Sequence, residues 1–340
     1  MKFPHFLPEQ GTIGFIAPSF GCVMEPYNTS FHRALDIFHK KGFQTNLGPN
    51  CFADTGIGIS NTPQKCGEEV NEYFAKGDID VLISCGGGEL MCEDLNYINF
   101  EEIAKLEPKW FMGYSDNTNL TFLLTTICDI ASIYGPCAST FGMEPWHESL
   151  HDALDLLQGK KLSMKGYPSW ELMQLRNKEN PYEPYNTTEP AKLVHYPEVY
   201  AKMEGRLLGG CVDCLVTLLG TKFDQVNAFQ ERYKEDGIIW FLECCDFNTI
   251  SMRRAFWQMD NAGWFQTAKG FIIGRPMHFG EDDFGLDQYE AVLGILRKYQ
   301  VPVIMDADVG HLPPMMPLVN GAKAVVESKG NSMEVTMKME

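Results

Sequence analysis

Apolar residues recur along this chain in two rhythms. Short, almost unbroken apolar runs at 12–18, 43–47, 80–85 and 109–114 read as buried strands, and 30–41 and 63–76 read as amphipathic helices set between them. A further helix ends near Gly159. Strands alternating with helices predict a parallel sheet, so residues 1–165 are assigned to an N-terminal α/β domain of flavodoxin- or Rossmann-like type. The composition then changes: 164–197 mixes Pro, Tyr, Asn and Glu without periodicity, and 166–204 is assigned to an inserted loop or linker. From 205 to 340 the alternation resumes, with a helix at 211–219, strands at 237–242, 270–274 and 302–305, and two closing strands at 322–327 and 333–338. The fold class expected is therefore α/β: a parallel-sheet domain followed by a mixed α/β domain, with the active site in the cleft between them, where ligands tend to bind. There is no internal repeat and no low-complexity tract.

Bulk properties narrow the classes without choosing one. The 340 residues are 44% hydrophobic, enough for two cores. A formal charge of −17 argues against nucleic acid and anionic membranes as partners, since both call for a basic face. The 11 cysteines, an odd number, are scattered through apolar segments, which fits a reducing cytoplasm better than a disulfide framework. Residues 1–10 lack a basic stretch followed by an apolar one, and no apolar run reaches membrane-spanning length, so neither export nor spanning is expected.

Candidate chemistry gathers at strand ends. In Trp110-Phe111-Met112-Gly113-Tyr114-Ser115-Asp116-Asn117-Thr118 an apolar strand runs into a serine and the start of a helix, the layout of a nucleophile elbow without its second glycine. The strand 237–242 delivers Glu243 at its C-terminal end, and 302–305 leads to Gly310-His311-Leu312-Pro313-Pro314. Ser, Glu and His thus occur in the order nucleophile, acid, base, the order of α/β-hydrolases. The plain alternative is a capping serine, a paired glutamate and a surface histidine. Other candidates compete. His147-Glu148-Ser149-Leu150-His151 is a literal H-E-x-x-H that would make a zinc peptidase, although no third ligand follows and a solvated helix face accounts for it. Gly86-Gly87-Gly88 follows a strand but has neither Rossmann nor Walker spacing. Cys211-x-x-Cys214 reads as core packing before metal or redox chemistry, and His278 as a hydrogen-bonded structural histidine.

Taken together, Gly113-Tyr114-Ser115-Asp116-Asn117-Thr118, Ser84-Cys85-Gly86-Gly87-Gly88, Gly205-Arg206-Leu207-Leu208-Gly209-Gly210 with Leu219-Gly220-Thr221, Phe241-Leu242-Glu243, and Gly310-His311-Leu312-Pro313-Pro314 with Pro317 and Gly321 resemble the LD-carboxypeptidases. That family (serine peptidase family S66) includes muramoyltetrapeptide carboxypeptidases and microcin C self-immunity proteins. The resemblance covers nearly the whole chain. It implies Ser115 as nucleophile, Glu243 as the acid that orients the base, His311 as general base, and no metal or cofactor. The N–H of Asp116 with that of Gly86 or Gly87 would hold the oxyanion. Two positions depart from the family: Cys244, where relatives often show Asp, and Cys211, where they often show Asn. The implied substrate is a small one in the cytosol, a murein tetrapeptide cut at its L,D bond or an aminoacyl-nucleotide amide, and the implied assembly is a homodimer. Gly88 and Trp170 are assigned to substrate binding, since Trp170 with Tyr167, Tyr182 and Tyr185 offers the inserted loop aromatic surface for a nucleobase. A non-catalytic two-lobed binding protein stands as the rival from another class.

Overall fold

Five short strands, β1 (Thr12–Ile16), β2 (Gln44–Leu47), β3 (Val81–Ser84), β4 (Trp110–Gly113) and β5 (Ser132–Tyr134), organise the first unit of a computed structural model that describes residues 1–340. They lie in the order β2-β1-β3-β4-β5, and every pairing among them is parallel. β3 and β4 are buried at every position, which is why their sequences are continuous apolar runs instead of alternating ones. Helices α1 (Tyr27–Lys40), α2 (Pro63–Ala75), α3 (Phe100–Ile103) and α4 (Thr118–Thr126) connect the strands, and α5 (Glu148–Leu157) follows β5. α1 buries Phe31, Ala34, Leu35 and Phe38, a stripe at helical spacing, and α2 starts where the Thr62 hydroxyl accepts the Lys65 N–H ahead of Pro63. In this strand order the connections run to opposite sides of β1 and β3, so the loops leaving those two strands diverge and open a crevice at their C-terminal ends.

The second unit is a mixed sheet. The unit's strands, inside that sheet and outside it, are β6 (Ser163–Lys165), β7 (Ser169–Trp170), β8 (Glu189–Pro190), β9 (Val194–Tyr196), β10 (Tyr200–Cys211), β11 (Ile238–Glu243), β12 (Ala268–Gly274), β13 (Asp282–Asp283), β14 (Leu286–Asp287), β15 (Val303–Ala307), β16 (Leu318–Asn320), β17 (Lys323–Lys329) and β18 (Ser332–Lys338); β7 with β8 and β13 with β14 form separate two-stranded sheets. β10, β11, β12 and β15 form a parallel centre; β17, β18 and β6 extend it antiparallel on one side and β9 on the other. Helices α6 (Val212–Leu218), α7 (Val226–Arg232), α8 (Thr249–Asn261) and α9 (Gln288–Leu296) complete it. β11 is buried at all six positions and ends on Glu243.

Two compact units stand beside the expected boundaries of 1–165, 166–204 and 205–340. One unit comprises Met1–Leu162 with Met173–Asn186, and the other Ser163–Leu172 with Thr187–Glu340, so the inserted segment is divided between them. Within the first unit Ser30 Oγ donates to the Pro181 carbonyl at 2.6 Å and Arg33 lies over the Tyr182 ring, which fastens 173–186 to α1. Within the second, β6 pairs with β18, β7 with β8 and β9 with β15. Strands of two or three residues take their register from a tertiary partner and leave no periodicity in the sequence. No helix is long and apolar enough to cross a membrane.

Candidate active site

In the first unit the chain leaves β4 through Tyr114 in an extended conformation and turns at Ser115, whose φ of +62° lies in the left-handed region. A non-glycine residue there is strained, and such strain is commonly stored at functional positions. The turn requires Gly113, where an added Cβ would come within 2.9 Å of the Asn117 side chain. The Ser115 N–H donates to Tyr134 Oη at 3.3 Å. The Asp116 side chain turns into the protein: its carboxylate accepts the Ser19 hydroxyl, the Met91 N–H at 2.8 Å and Asn119 Nδ2 at 3.0 Å. The loops after β1, β3 and β4, which border the crevice, are thereby linked through one buried group.

The glycines divide their work. An added Cβ on Gly87 would sit 3.2 Å from both Cβ and Oγ of Ser115, so Gly87 is the glycine whose backbone borders the serine. On Gly86 it would meet Phe20 at 2.9 Å, and the Gly86 carbonyl is already taken by Asn117 Nδ2 at 2.7 Å and Ser84 Oγ at 3.0 Å. Gly88, at φ +127°, packs against Ser19, where a side chain would collide with the hydroxyl that serves Asp116. In the sequence Asn117 is one residue of the Gly113–Thr118 motif. Its Nδ2 also donates to the Tyr114 carbonyl at 3.1 Å, so one amide staples the Gly86 loop to the Ser115 turn.

In the second unit Glu243 and His311 meet. His311 Nδ1 lies 2.9 Å from Glu243 Oε2, and because a carboxylate only accepts, Nδ1 carries the proton and Nε2 is left as the basic nitrogen. Burial works against the imidazolium, but the Glu243 charge, the hydrogen bonds to Cys245 and Glu243, and the charge at Cys245 outweigh it and hold the His311 pKa well above its ordinary value. Gly310 makes room for this pair: at φ +107°, an added Cβ would approach Glu243 Oε2 to 2.7 Å. The loop before it is braced by buried Arg275, which donates to the Asp306 carbonyl at 2.7 Å and to Asp308 Oδ1 at 2.5 Å. Asp213, which the sequence did not single out, accepts the backbone N–H groups of Cys245 at 3.0 Å and Asp246 at 2.8 Å and so fixes the loop that follows Glu243.

The remaining candidates are engaged by neighbouring side chains. Trp170 is only 5% exposed: Arg275 lies over its ring at 4.9 Å and the Phe279 ring packs against it at 4.8 Å, so it braces the His311 loop and offers no open face to a base. His147 is the N-cap of α5, with its Nδ1 accepting the Ser149 N–H, and the His151 ring packs on Trp146. The H-E-x-x-H histidines therefore do not project from successive turns of one helix, as a zinc pair must. His278 is paired with Glu281 at 2.9 Å.

Two family descriptions match the chain: the LD-carboxypeptidase N-terminal domain over residues 13–135 and the LD-carboxypeptidase C-terminal domain over 204–326. The microcin C7 self-immunity protein MccF of Escherichia coli is 24% identical over 336 residues, covering 96% of this chain and 93% of that protein. The probable murein peptide carboxypeptidase of Bacillus subtilis is 26% identical, covering 96% and 91%. Among solved structures, MccF in complex with aspartyl sulfamoyl adenosine superposes with a TM-score of 0.82 at 22% identity, covering 99% of each chain.

Proposed function

The chain belongs to the LD-carboxypeptidase family and is a serine-type carboxypeptidase, and from that premise we propose that it cleaves an amide through Ser115, His311 and Glu243. The observation that carries the reading is the Glu243–His311 pair at 2.9 Å, which leaves the imidazole one basic nitrogen. His311 Nε2 takes the proton from Ser115 Oγ as the oxygen attacks the carbonyl carbon. The N–H groups of Gly87 and Asp116 hold the oxyanion, Glu243 stabilises the imidazolium, and His311 then hands the proton to the departing amine. Water, deprotonated by the same nitrogen, releases the acyl group from the serine.

The substrate of this reading is a small peptide with a C-terminal residue joined by an L,D bond, as in a murein tetrapeptide. A second reading, an aminoacyl-nucleotide amide, draws on the likeness to the microcin self-immunity protein over nearly the whole chain. It draws no support from Trp170, whose ring is covered. Purified protein assayed side by side on a murein tetrapeptide and on an aminoacyl sulfamoyl adenosine decides between them. Turnover of the peptide at least tenfold faster in kcat/KM, about 1.4 kcal/mol, supports the first reading, and the reverse ratio replaces it with the second. No turnover of either, under conditions where the protein is folded, refutes the proposed hydrolysis.

A further inference from the structure

One motif plays no part in the chemistry above. Cys211 ends β10 directly opposite Glu243 of β11, and it is also the N-cap of α6; Cys214 follows in the first turn. Residues three apart at such a start lie on one face of the turn, and the neighbouring Cys214, burial and the Glu243 charge together push the Cys211 thiol well above its ordinary pKa. That spacing is compatible with the short Cα separation a disulfide needs. Cys211 is buried and Cys214 is half-buried, so the pair has a sealed member and an accessible one. Three thiols of the first unit differ: Cys22, Cys51 and Cys85 are sealed, with the Cys22 and Cys51 thiols donating to backbone carbonyls. The pair is also wired to the loop beyond Glu243. Cys211 Sγ donates to Asp213 Oδ2 at 3.6 Å, the oxygen that accepts the Cys245 N–H, and the Cys245 thiol is hydrogen-bonded to His311.

We propose that Cys211 and Cys214 form a reversible disulfide, and that closing it resets the loop holding Cys245 and thereby the setting of His311. A hydroperoxide oxidises the accessible Cys214 thiol to a sulfenic acid, leaving as an alcohol or water. The Cys211 sulfur, its proton passing to the sulfenic oxygen by way of Asp213 Oδ2, then attacks that sulfur, the S–S bond forms, and the sulfenic oxygen departs as water. Two electrons and two hydrogens leave the protein, and a dithiol reductant returns them. The closed form has no S–H at Cys211, so Asp213 loses a donor and its hold on the Cys245 and Asp246 amides shifts.

The link to activity rests on the proposed hydrolysis, whereas disulfide formation does not, and the test separates them. The full chain is treated with hydrogen peroxide, alkylated and cleaved with trypsin; both cysteines fall on the peptide running from Leu207 to Lys222, which contains no other cysteine. We expect that peptide to be lighter by two hydrogens and unalkylated, and to regain both thiols in dithiothreitol. A peptide still fully alkylated, or one bearing only sulfinic acid, overturns the proposal. For the coupling, the oxidised form should lose kcat/KM roughly tenfold or more, as small misplacements of a reacting group do. Cys214→Ser, a change at a half-buried site, should keep the reduced activity within about twofold and be indifferent to peroxide. His311 imidazole signals followed by NMR should titrate at a different pH in the oxidised and reduced forms, a readout that needs no substrate. A disulfide that moves neither the titration nor the activity overturns the coupling.

Discussion

In the first unit the proposed nucleophile is placed by main chain: a left-handed φ at Ser115, a glycine behind it at Gly113, another facing it at Gly87, and amide or hydroxyl groups on the flanking carbonyls. In the second unit the proposed base is placed by side-chain charge: His311 leans on Glu243, and the loop that carries it is tied down by the buried Arg275–Asp308 pair. A serine needs only a position, since its proton is removed at the moment of attack. A histidine needs a position, a tautomer and a pKa, and here the Glu243 carboxylate bears on the last two.

If that division is right, the two halves break differently. Ser115→Ala removes the atom that reacts, and kcat/KM should fall on the order of 10⁴-fold or more with the melting temperature unchanged; a variant keeping a tenth of the activity excludes Ser115. Glu243→Gln keeps the shape of the pair and loses its charge, for an expected drop of about 10³- to 10⁴-fold. Combined with Ser115→Ala it should add almost nothing, and a multiplicative loss in the double variant would show that the two residues do not act as one unit. Gly87→Ala tests the main-chain side. A methyl 3.2 Å from Ser115 Oγ should displace an oxyanion donor and cost roughly 10²-fold in kcat, whereas Gly86→Ala, directed at Phe20, should lower stability more than kcat.

Smaller effects sharpen the contrast by pH. His311 must be neutral to accept a proton, and its pKa is raised, so the acid limb of kcat/KM should lie above the pH at which free histidine titrates, about 6.5. In Glu243→Gln the residual activity should show that limb displaced downward, and a limb that stays put would detach the shift from Glu243. The same linkage acts on folding: the pair stabilises the protein most below the unfolded histidine pKa, and this contribution is lost as pH rises through the folded one. On the nucleophile side one such group is Asp94, whose two buried oxygens have no hydrogen-bond partner and whose pKa is pushed up to about 9, first by burial and then by Asp116. A carboxyl raised in the folded state helps folding below its unfolded pKa and loses that benefit as pH climbs toward 9. Asp94→Asn should therefore gain melting temperature over the parent by roughly 2–4 °C as pH goes from acidic to mildly alkaline; a constant gap would show that Asp94 does not titrate with folding.

The sequence carried the fold class because buried parallel strands such as β3, β4 and β11 are continuous apolar runs separated by amphipathic helices. It did not carry the division of 166–204, whose strands of two or three residues depend on partners elsewhere in the chain. Ser115, Glu243 and His311 stood out because each follows a readable strand. Asn117, Asp213 and Arg275 did not, because an amide, a carboxylate or a guanidinium has meaning only beside the groups it bonds, and those lie 31, 32 and 33 residues away. Trp170 misled for a related reason: an aromatic ring in an aperiodic segment reads as available surface until the arginine lying over it is seen.

The Asn117 staple has a mechanical consequence. One carboxamide nitrogen bonds the carbonyls of Gly86 and Tyr114, so the loop after β3 and the turn after β4 are one rigid body with two main-chain strands running through it. Neither can open without the other. Amide hydrogens at 86–88 and at 115–117 should therefore exchange with solvent as a single cooperative unit, with a common free energy of opening, and cutting the staple would let each loop breathe at its own rate.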